Sequence, residues 1–369
     1  MTTTAKPIRW GILGTGLIAR QFTEGLKCLP DAVLAAVGSR DADTAQAFAD
    51  ALGFARAHGS YQSLVDDPDV DIIYIATPHT RHRDDCLLAL SAGKAVLCEK
   101  PFATSAADAR AVFALAAEKK LFCMEAMWMR CMPLIAEAKA LIDSKAIGEV
   151  RLLTADFGYA AAYDPKHRLF DPALGGGALL DRGVYPLALA WGLFGAPSRI
   201  QSQARFCASG ADEQVSLLLD YANGPQAVLS ASLASQLSNE AVITGTHGEI
   251  RLHAPFYKPV RLSLTQRQPQ TLGVTSAPAR AGAKQKIVGR IKQSAAGQWL
   301  IEAIKGSALR RAGRSRFKPL SGNGYHYEAA EAMRCLRAGL LESPLMPQAH
   351  SVEILAALDD IRRDWAVVS

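Results

Sequence analysis

Along the first 125 residues, short wholly apolar runs alternate with stretches in which apolar positions recur every three or four residues. Ile8–Leu13, Ala32–Val37, Ile72–Ala76, Ala95–Cys98 and Leu121–Met124 read as strands, and Leu17–Cys28, Asp41–Leu52, His82–Ser91 and Ser105–Lys119 as helices. Ser105 and Asp108 have the spacing of a capping box at the start of the last of these. Strands that are apolar on both faces, each followed by a helix, predict a parallel sheet covered on both sides. After Glu125 the pattern changes. Helices over Pro133–Asp143 and Asp181–Phe194 frame a strand at Val150–Tyr159. Strand patterns then follow with little helix between them: Ser198–Cys207, Val215–Tyr221, Ala227–Ala234, Glu240–Thr244, Glu249–Leu252 and Val260–Leu264. Asn223-Gly224 and His247-Gly248 punctuate them like hairpin turns. Helices over Tyr325–Leu340 and Ser351–Ala366 close the chain, joined by the turn-rich stretch Glu342–Pro347. The expected architecture is an α/β Rossmann domain over residues 1–125, followed by an α+β domain over 126–369 with a mostly antiparallel open sheet.

Bulk properties narrow this little. The chain has 369 residues, 49% hydrophobic and 21% charged, as in ordinary globular proteins, and is long enough for two cores. Its start, MTTTAKPIRWGILGTG, lacks a basic segment followed by a long apolar run, so no signal peptide is expected. No window approaches the ~18 apolar residues of a membrane span. The seven cysteines are odd in number and scattered, without a metal-like pair, which points to reduced thiols in a cytoplasmic protein. Charge is uneven: the segment 278–320 carries eleven Lys/Arg against one acid, Glu302, whereas the whole chain is only +6. The rest is therefore net acidic, and the basic character belongs to that segment.

Gly14-Thr15-Gly16-Leu17-Ile18-Ala19 fits the G-x-G-x-x-G/A fingerprint, placed after a strand and opening a helix. Gly14 permits the tight turn, Gly16 lets the backbone approach a pyrophosphate, and Ala19 keeps helix and sheet close. The helix start then presents free N–H groups and its positive dipole end to the phosphates. The second strand runs into Ser39-Arg40-Asp41. An NAD site usually places an acid at that strand tip; here a hydroxyl and a guanidinium stand there, which suits the phosphate of NADP. Asp41 serves NAD instead if the loop is shifted by one residue.

Glu99-Lys100-Pro101 follows another strand at the carboxyl edge of the sheet, where doubly wound sheets bind ligands, and Thr77-Pro78-His79 and His82 follow a third. In the second half, Gly175-Gly176-Gly177 enters a predicted helix on which Asp181 and Tyr185, spaced i, i+4, share a face. Alone, such a pair is more often structural than catalytic; beside Lys100 it becomes a candidate site.

Taken together, Gly14-x-Gly16, Glu99-Lys100-Pro101 and the block from Gly175 to Tyr185 resemble the glucose–fructose oxidoreductase and inositol dehydrogenase family. Within it the chain is most similar to the branch of dimeric dihydrodiol dehydrogenases and NADP-dependent xylose dehydrogenases. Glu125–Arg130 and the tail from Gly324-Tyr325 to Pro347 share that likeness. The resemblance implies a nicotinamide at the interface of the two domains, a sugar, polyol or diol substrate, and a homodimer or larger homo-oligomer through the open sheet face. Many members carry His where Tyr185 stands, and the branch carries Tyr. A Trp-Arg pair often precedes the glycines and lies near the nicotinamide; His167-Arg168 departs from it, leaving Arg168 as a candidate.

The chemistry expected is hydride transfer between a nicotinamide and a secondary alcohol or lactol, with Tyr185 as the proton-transferring group. A free phenol has a pKa of about 10, so a nearby Lys100 ammonium is expected to favour the phenolate. Lowering it by two units needs about 2.7 kcal/mol. One cation near 4 Å offers roughly 4 kcal/mol at an effective dielectric of 20, before desolvation. Asp181 would orient Lys100 or bind a substrate hydroxyl. Trp128, Phe157 and Phe170 offer apolar walls, or are ordinary core. Cys98 and Cys123 read as packing residues. The basic segment has little aromatic interleaving, so neither nucleic acid nor membrane is the expected partner; it reads as a solvated insertion. Two other classes remain open on sequence: a dinucleotide-responsive regulator without turnover, and a glycosidase-like enzyme with tightly held NAD.

Overall fold

Six strands lie parallel in the first sheet: β1 (Ile8–Leu13), β2 (Ala32–Gly38), β3 (Arg56–His58), β4 (Ile72–Ile75), β5 (Ala95–Glu99) and β6 (Cys123–Ala126). The computed structural model describes residues 6–222, 224–267 and 313–368. The strand order β3-β2-β1-β4-β5-β6 reverses direction of winding between β1 and β4. At such a point the crossover helices leave to opposite faces and the strand ends open into a crevice. Helices α1 (Leu17–Leu26), α2 (Ala42–Leu52), α3 (Tyr61–Val65), α4 (His82–Ser91) and α5 (Ala106–Lys119) make the crossovers. β4 and β5 are buried along their whole length, as the unbroken apolar runs Ile-Ile-Tyr-Ile and Ala-Val-Leu-Cys require. Ser105 caps α5, accepting from the Asp108 N–H, and Asp41 caps α2 in the same way.

After α6 (Pro133–Asp143), β7 (Val150–Gly158) and α7 (Val184–Phe194), the second sheet is completed by β8 (Arg199–Phe206), β9 (Asp212–Asp220), β10 (Gln226–Ser232), β11 (Ala241–Gly245), β12 (Gly248–Leu252), β13 (Arg261–Gln266) and β14 (Gly313–Phe317). Its order is β14-β13-β12-β11-β7-β10-β9-β8, antiparallel throughout except for the parallel pair β7 and β10. α8 (Tyr325–Arg337) and α9 (Gln348–Val368) return to the first sheet, α8 packing on α1 and α9 on α5. The chain end thus clamps the two sheets together.

The structure departs from the sequence pattern in three places. β3 and α3 are not announced by it: Arg56-Ala57-His58 has no apolar run, and the strand exists because the β2 edge offers it a ladder. β14 lies inside the segment that composition presents as a solvated basic insertion; it pairs with β13, and Glu137 of α6 holds both Arg316 and Lys318. Residues 268–312, which include most of that segment, and the Asn223 turn position lie outside the described residues. Finally, the helix expected from Asp181 begins as a wide π turn, Leu179–Gly183, with regular α-helix only from Val184. Such turns insert a residue into the ladder and are frequent at functional sites. Among the described residues, no helix is long and apolar enough to cross a membrane.

Candidate active site

The glycine turn after β1 has the geometry a pyrophosphate needs. Gly14 sits at φ +103°, and a Cβ there would fall 3.1 Å from the Ala76 carbonyl oxygen, so no side chain fits. Gly16 precedes α1 in extended conformation, and a Cβ on it would meet nothing within 4 Å. That open space lies at the helix start, beside half-buried Thr15 and Ile18 and the outward-facing Leu17. The cradle fits a dinucleotide. At the tip of β2, Ser39 is buried and Arg40 is exposed, its guanidinium near the Tyr61 hydroxyl. Asp41 Oδ1 is occupied as the α2 cap, 2.8 Å from the Thr44 N–H and 2.5 Å from its hydroxyl. Those bonds hold its carboxyl below the usual range.

The ends of β4 and β5 converge next to this turn. Thr77 Oγ1 donates to Asp85 at 2.7 Å, and exposed Pro78 leads to half-buried His79. Burial, then His82 and Lys100, push the His79 pKa down to about 3, so its imidazole is neutral. His82 does not fit the expectation that it contacts the cofactor. It is fully buried, with Nδ1 2.8 Å from the Pro101 carbonyl and Nε2 2.9 Å from the Thr77 carbonyl, and ties the two strand ends together. Helical spacing places it near the edge, but the turn before α4 points it inward. Glu99 is buried, taking the Tyr74 hydroxyl on one oxygen and the Lys100 N–H on the other at 3.0 Å; burial raises its pKa to about 6.

Lys100 crosses from the first sheet to the second. Its Nζ donates to the Asp181 carbonyl at 3.0 Å, approaches Asp181 Oδ1 at 3.4 Å, and lies 4.9 Å from the centre of the Tyr185 ring. Arg168 Nη1 donates to the same Asp181 oxygen at 3.1 Å, and Arg182 Nε stands 3.9 Å from the other. Burial alone would raise the Asp181 pKa, but Lys100 and Arg168 outweigh it and hold the carboxyl well below its ordinary value. Asp181 is therefore a buried carboxylate at the focus of three cations.

Tyr185 is 6% exposed, and its hydroxyl accepts from Trp128 Nε1 at 2.9 Å. The sequence argument expects Lys100 to acidify this phenol. Instead burial, then Glu99, raise its pKa well above 10. The reason is geometric: the ammonium lies over the ring face and spends its field on Asp181. Trp128 stacks on Tyr325 with centroids 4.5 Å apart, and Phe157 stacks on Tyr257 at 4.6 Å while meeting Tyr185 edge-on at 5.1 Å. Sequence reasoning misses Tyr257 and Tyr325; Tyr257 follows an irregular Ala-Pro-Phe stretch that carries no periodic signal. Phe170 is set apart in the core at 2% exposure, its ring against Tyr163. Cys98 and Cys123 are fully buried with pKa values raised well above ordinary by burial, as packing residues should be.

Another carboxyl behind this wall is invisible on sequence. Glu328 of α8 is fully buried, and neither of its oxygens has a hydrogen-bond partner among the described residues. Burial, then Glu99, raise its pKa well above 4.5. A carboxyl raised in the folded state stabilises the fold below its unfolded value and loses that contribution as pH rises toward the folded value. Stability of the protein is expected to fall by about 1.4 kcal/mol per pH unit above 4.5 from this group, with Glu99 adding the same sign up to about 6. Glu328→Gln should flatten the slope. Urea unfolding midpoints of the two proteins at pH 5 and pH 8 measure it, and an unchanged difference between them would rule the effect out.

A glycine cradle at the switch point of a parallel sheet, beside a cluster in which Lys100 from that sheet meets Asp181 and Tyr185 from the helical segment packed on a second, mostly antiparallel sheet, defines a two-domain NAD(P)-dependent oxidoreductase. Residues 8–127 match the family described as "Oxidoreductase family, NAD-binding Rossmann fold", and residues 135–251 match the "GFO/IDH/MocA C-terminal domain". Trans-1,2-dihydrobenzene-1,2-diol dehydrogenase of Sus scrofa is 34% identical over 360 residues, covering 96% of each chain, and that of Bos taurus is 33% identical over the same length and shares. The chain belongs to the GFO/IDH/MocA oxidoreductase family. Among solved structures, aldose-aldose oxidoreductase from Caulobacter crescentus shares the fold at a TM-score of 0.78 and 22% identity, covering 97% of each chain. Levoglucosan dehydrogenase does so at 0.78 and 20%, covering 99% of this chain and 98% of that one.

Proposed function

We propose that the protein transfers a hydride between NADP and a secondary alcohol of a sugar, polyol or trans-dihydrodiol, with Tyr185 exchanging the hydroxyl proton. The observation that carries this reading is Lys100, anchored at the end of β5, reaching Asp181 while covering the Tyr185 ring. Relatives named as dihydrodiol dehydrogenases, matched end to end, support the substrate class. When bound, the dinucleotide supplies or accepts the hydride; the chain's own groups do the rest. The Gly14–Ile18 turn holds the phosphates, and Thr77, Pro78, His79, Glu99, Lys100 and Arg168 border the inner end of the cleft. The resting phenol is protonated, so it is ready to donate to a carbonyl oxygen; in the oxidative direction it takes the alcohol proton only after passing its own to solvent. Asp181 fixes the ammonium, which stabilises negative charge developing on the substrate oxygen. Trp128 and Phe157, with Tyr257 and Tyr325, present ring faces to the carbon skeleton. The division of labour is that residues 1–125 bind the dinucleotide and 126–369 the substrate.

A panel of pentoses, inositols and cyclic trans-diols, assayed with NADP and NAD side by side, tests the reading; no dinucleotide reduction with any of them would end it. The preference for NADP rests on Arg40 at the β2 tip and on the use of Asp41 as a helix cap. Arg40→Ala is expected to weaken NADP binding about 10- to 150-fold, the worth of a charge-assisted hydrogen bond, and to leave NAD binding unchanged. Equal losses for both cofactors in a fluorescence titration would count against a 2′-phosphate contact. We also assign the protein to a reducing compartment, the cytoplasm, supported by its seven free cysteines. It is further assigned as a homodimer or larger assembly through the outer sheet face, where Val228 stands exposed. A monomer in sedimentation equilibrium would overturn the assembly.

A further inference from the structure

The π turn that carries Asp181 is held from behind by a residue that no part of the proposed chemistry uses. Asp212 opens β9, one strand in from the sheet edge at β8, thirty-odd residues from the turn in sequence but against it in space. Its Oδ2 accepts the Leu179 N–H at 2.6 Å. The Ala178 N–H and the Asp212 N–H also face the carboxylate and favour its charged form. The Leu179 and Ala178 N–H groups are donors that the start of a helical turn otherwise leaves without partners. Gly177 shows how close the approach is: it sits at φ +129°, and a Cβ there would collide with Asp212 Oδ1. Gly177 therefore makes room for the carboxylate, which accounts for the last glycine of the triplet without invoking a ligand.

The same carboxylate is not sealed from solvent. It is 7% exposed and forms part of the wall of a cavity of about 310 Å³, together with Gly175, Gly176, Phe206, Arg362 and Trp365. The glycine stretch separates this cavity from the catalytic cleft. On its other side, a Cβ on Gly175 would lie 3.6 Å from His79 Cβ. The groups facing Asp212 are few among the described residues: backbone N–H groups from the turn and from β9, and Arg362 from α9. That guanidinium is itself held by Asp359 at 2.7 Å and by the Thr104 carbonyl at 2.8 Å, so it neutralises Asp212 weakly.

We infer that Asp212 is a positioning residue for the Lys100–Asp181–Tyr185 cluster, and that the cluster is assembled for turnover only while Asp212 is ionised. The inference rests on the reading of that cluster as the catalytic one. Protonation removes the charge that strengthens the hold on the Leu179 N–H, and the turn loses its charged anchor two residues before Asp181. Burial raises the Asp212 pKa to about 6, against the pull of the Leu179, Ala178 and Asp212 N–H groups. The charged, anchoring form is present above that value and lost as pH falls through it.

The test compares wild type, D212N, D212A and Y185F in the full-length protein. Wild-type kcat should fall below pH 6 with a single ionisation, while dinucleotide affinity, read by NADPH fluorescence, stays level. D212N keeps one amide oxygen for the Leu179 N–H but never carries the charge, so its kcat should stay near the low-pH level of the wild type across the range and lack that acid limb. D212A should lose about 10- to 100-fold in kcat at pH 8 through a displaced turn, again with NADPH affinity unchanged. An acid limb retained in D212N would assign the ionisation elsewhere, Glu99 being the other carboxyl near 6, and would overturn the link. So would a D212A enzyme with wild-type kcat. If D212A does not fold, the D212N profile decides alone. Y185F keeps the two questions apart: full activity in it removes the phenol from the mechanism, while the Asp212 effect on pH dependence is still read from D212N.

Discussion

Tyr185→Phe is expected to lower kcat by about 10²- to 10⁴-fold, the range over which a positioned acid or base contributes. The substitution deletes one oxygen. Its structural cost is the hydrogen bond from Trp128 Nε1, about 1 kcal/mol. The ring, its contact with Phe157 and its position under Lys100 remain, so the fold and the dinucleotide cradle around Gly14 are untouched. Steady-state rates with the best substrate and an NADPH titration separate the two quantities. A variant that binds NADPH normally and turns over near the wild-type rate would remove the phenol from the reaction. Because the resting phenol is raised well above 10, largely by burial, the proton sits on it throughout the neutral range.

The second large effect is expected at Lys100. Lys100→Met keeps the length and apolar stem of the side chain and deletes the ammonium, so Asp181 loses one of its strong partners while Arg168 remains at 3.1 Å. A donor aimed at developing charge in a water-poor site is worth about 10²- to 10³-fold in kcat, and that loss is expected here. The stability change should be smaller than for a wholly buried pair, since Arg168 and Arg182 still face the carboxylate. Combining Lys100→Met with Asp181→Asn should cost less stability than the two changes added, because the ammonium and the carboxylate interact and neither is then left without the other. Strict additivity in thermal unfolding, together with unimpaired kcat in Lys100→Met, would show that the ammonium and the carboxylate act independently of the chemistry. Lys100→Arg should not restore full activity, since a planar fork cannot occupy the space over the Tyr185 ring in the same way.

The features legible in the amino-acid sequence share one property: they are local. The apolar runs at Ile8–Leu13 and Ile72–Ile75 need only their own side chains to announce buried parallel strands. The turn at Gly14 is legible because only glycine tolerates its φ and the nearby Ala76 carbonyl. Lys100, Asp181 and Tyr185 stand out by residue type and by position at strand and helix ends. Where sequence pattern misleads, the outcome depends on neighbours distant in the chain. β14 is a strand because β13 offers it an edge, not because Gly-Arg-Ser-Arg-Phe prefers one. Spacing alone assigns His82 to the cleft, whereas the carbonyls of Thr77 and Pro101 draw it inward.

Electrostatics divide along the same line. Composition and order indicate a dinucleotide fold, a mostly antiparallel partner sheet and the candidate reactive side chains, because propensity, periodicity and turn sterics act over a few residues. The charge state of those side chains follows only from assembly. Tyr185 is kept neutral by burial and by Glu99, Asp181 is kept charged by Lys100 and Arg168, and Asp212 reaches the π turn from another strand. Desolvation and Coulomb forces depend on distances in space, and those distances are set by how the two sheets and the returning helices α8 and α9 pack.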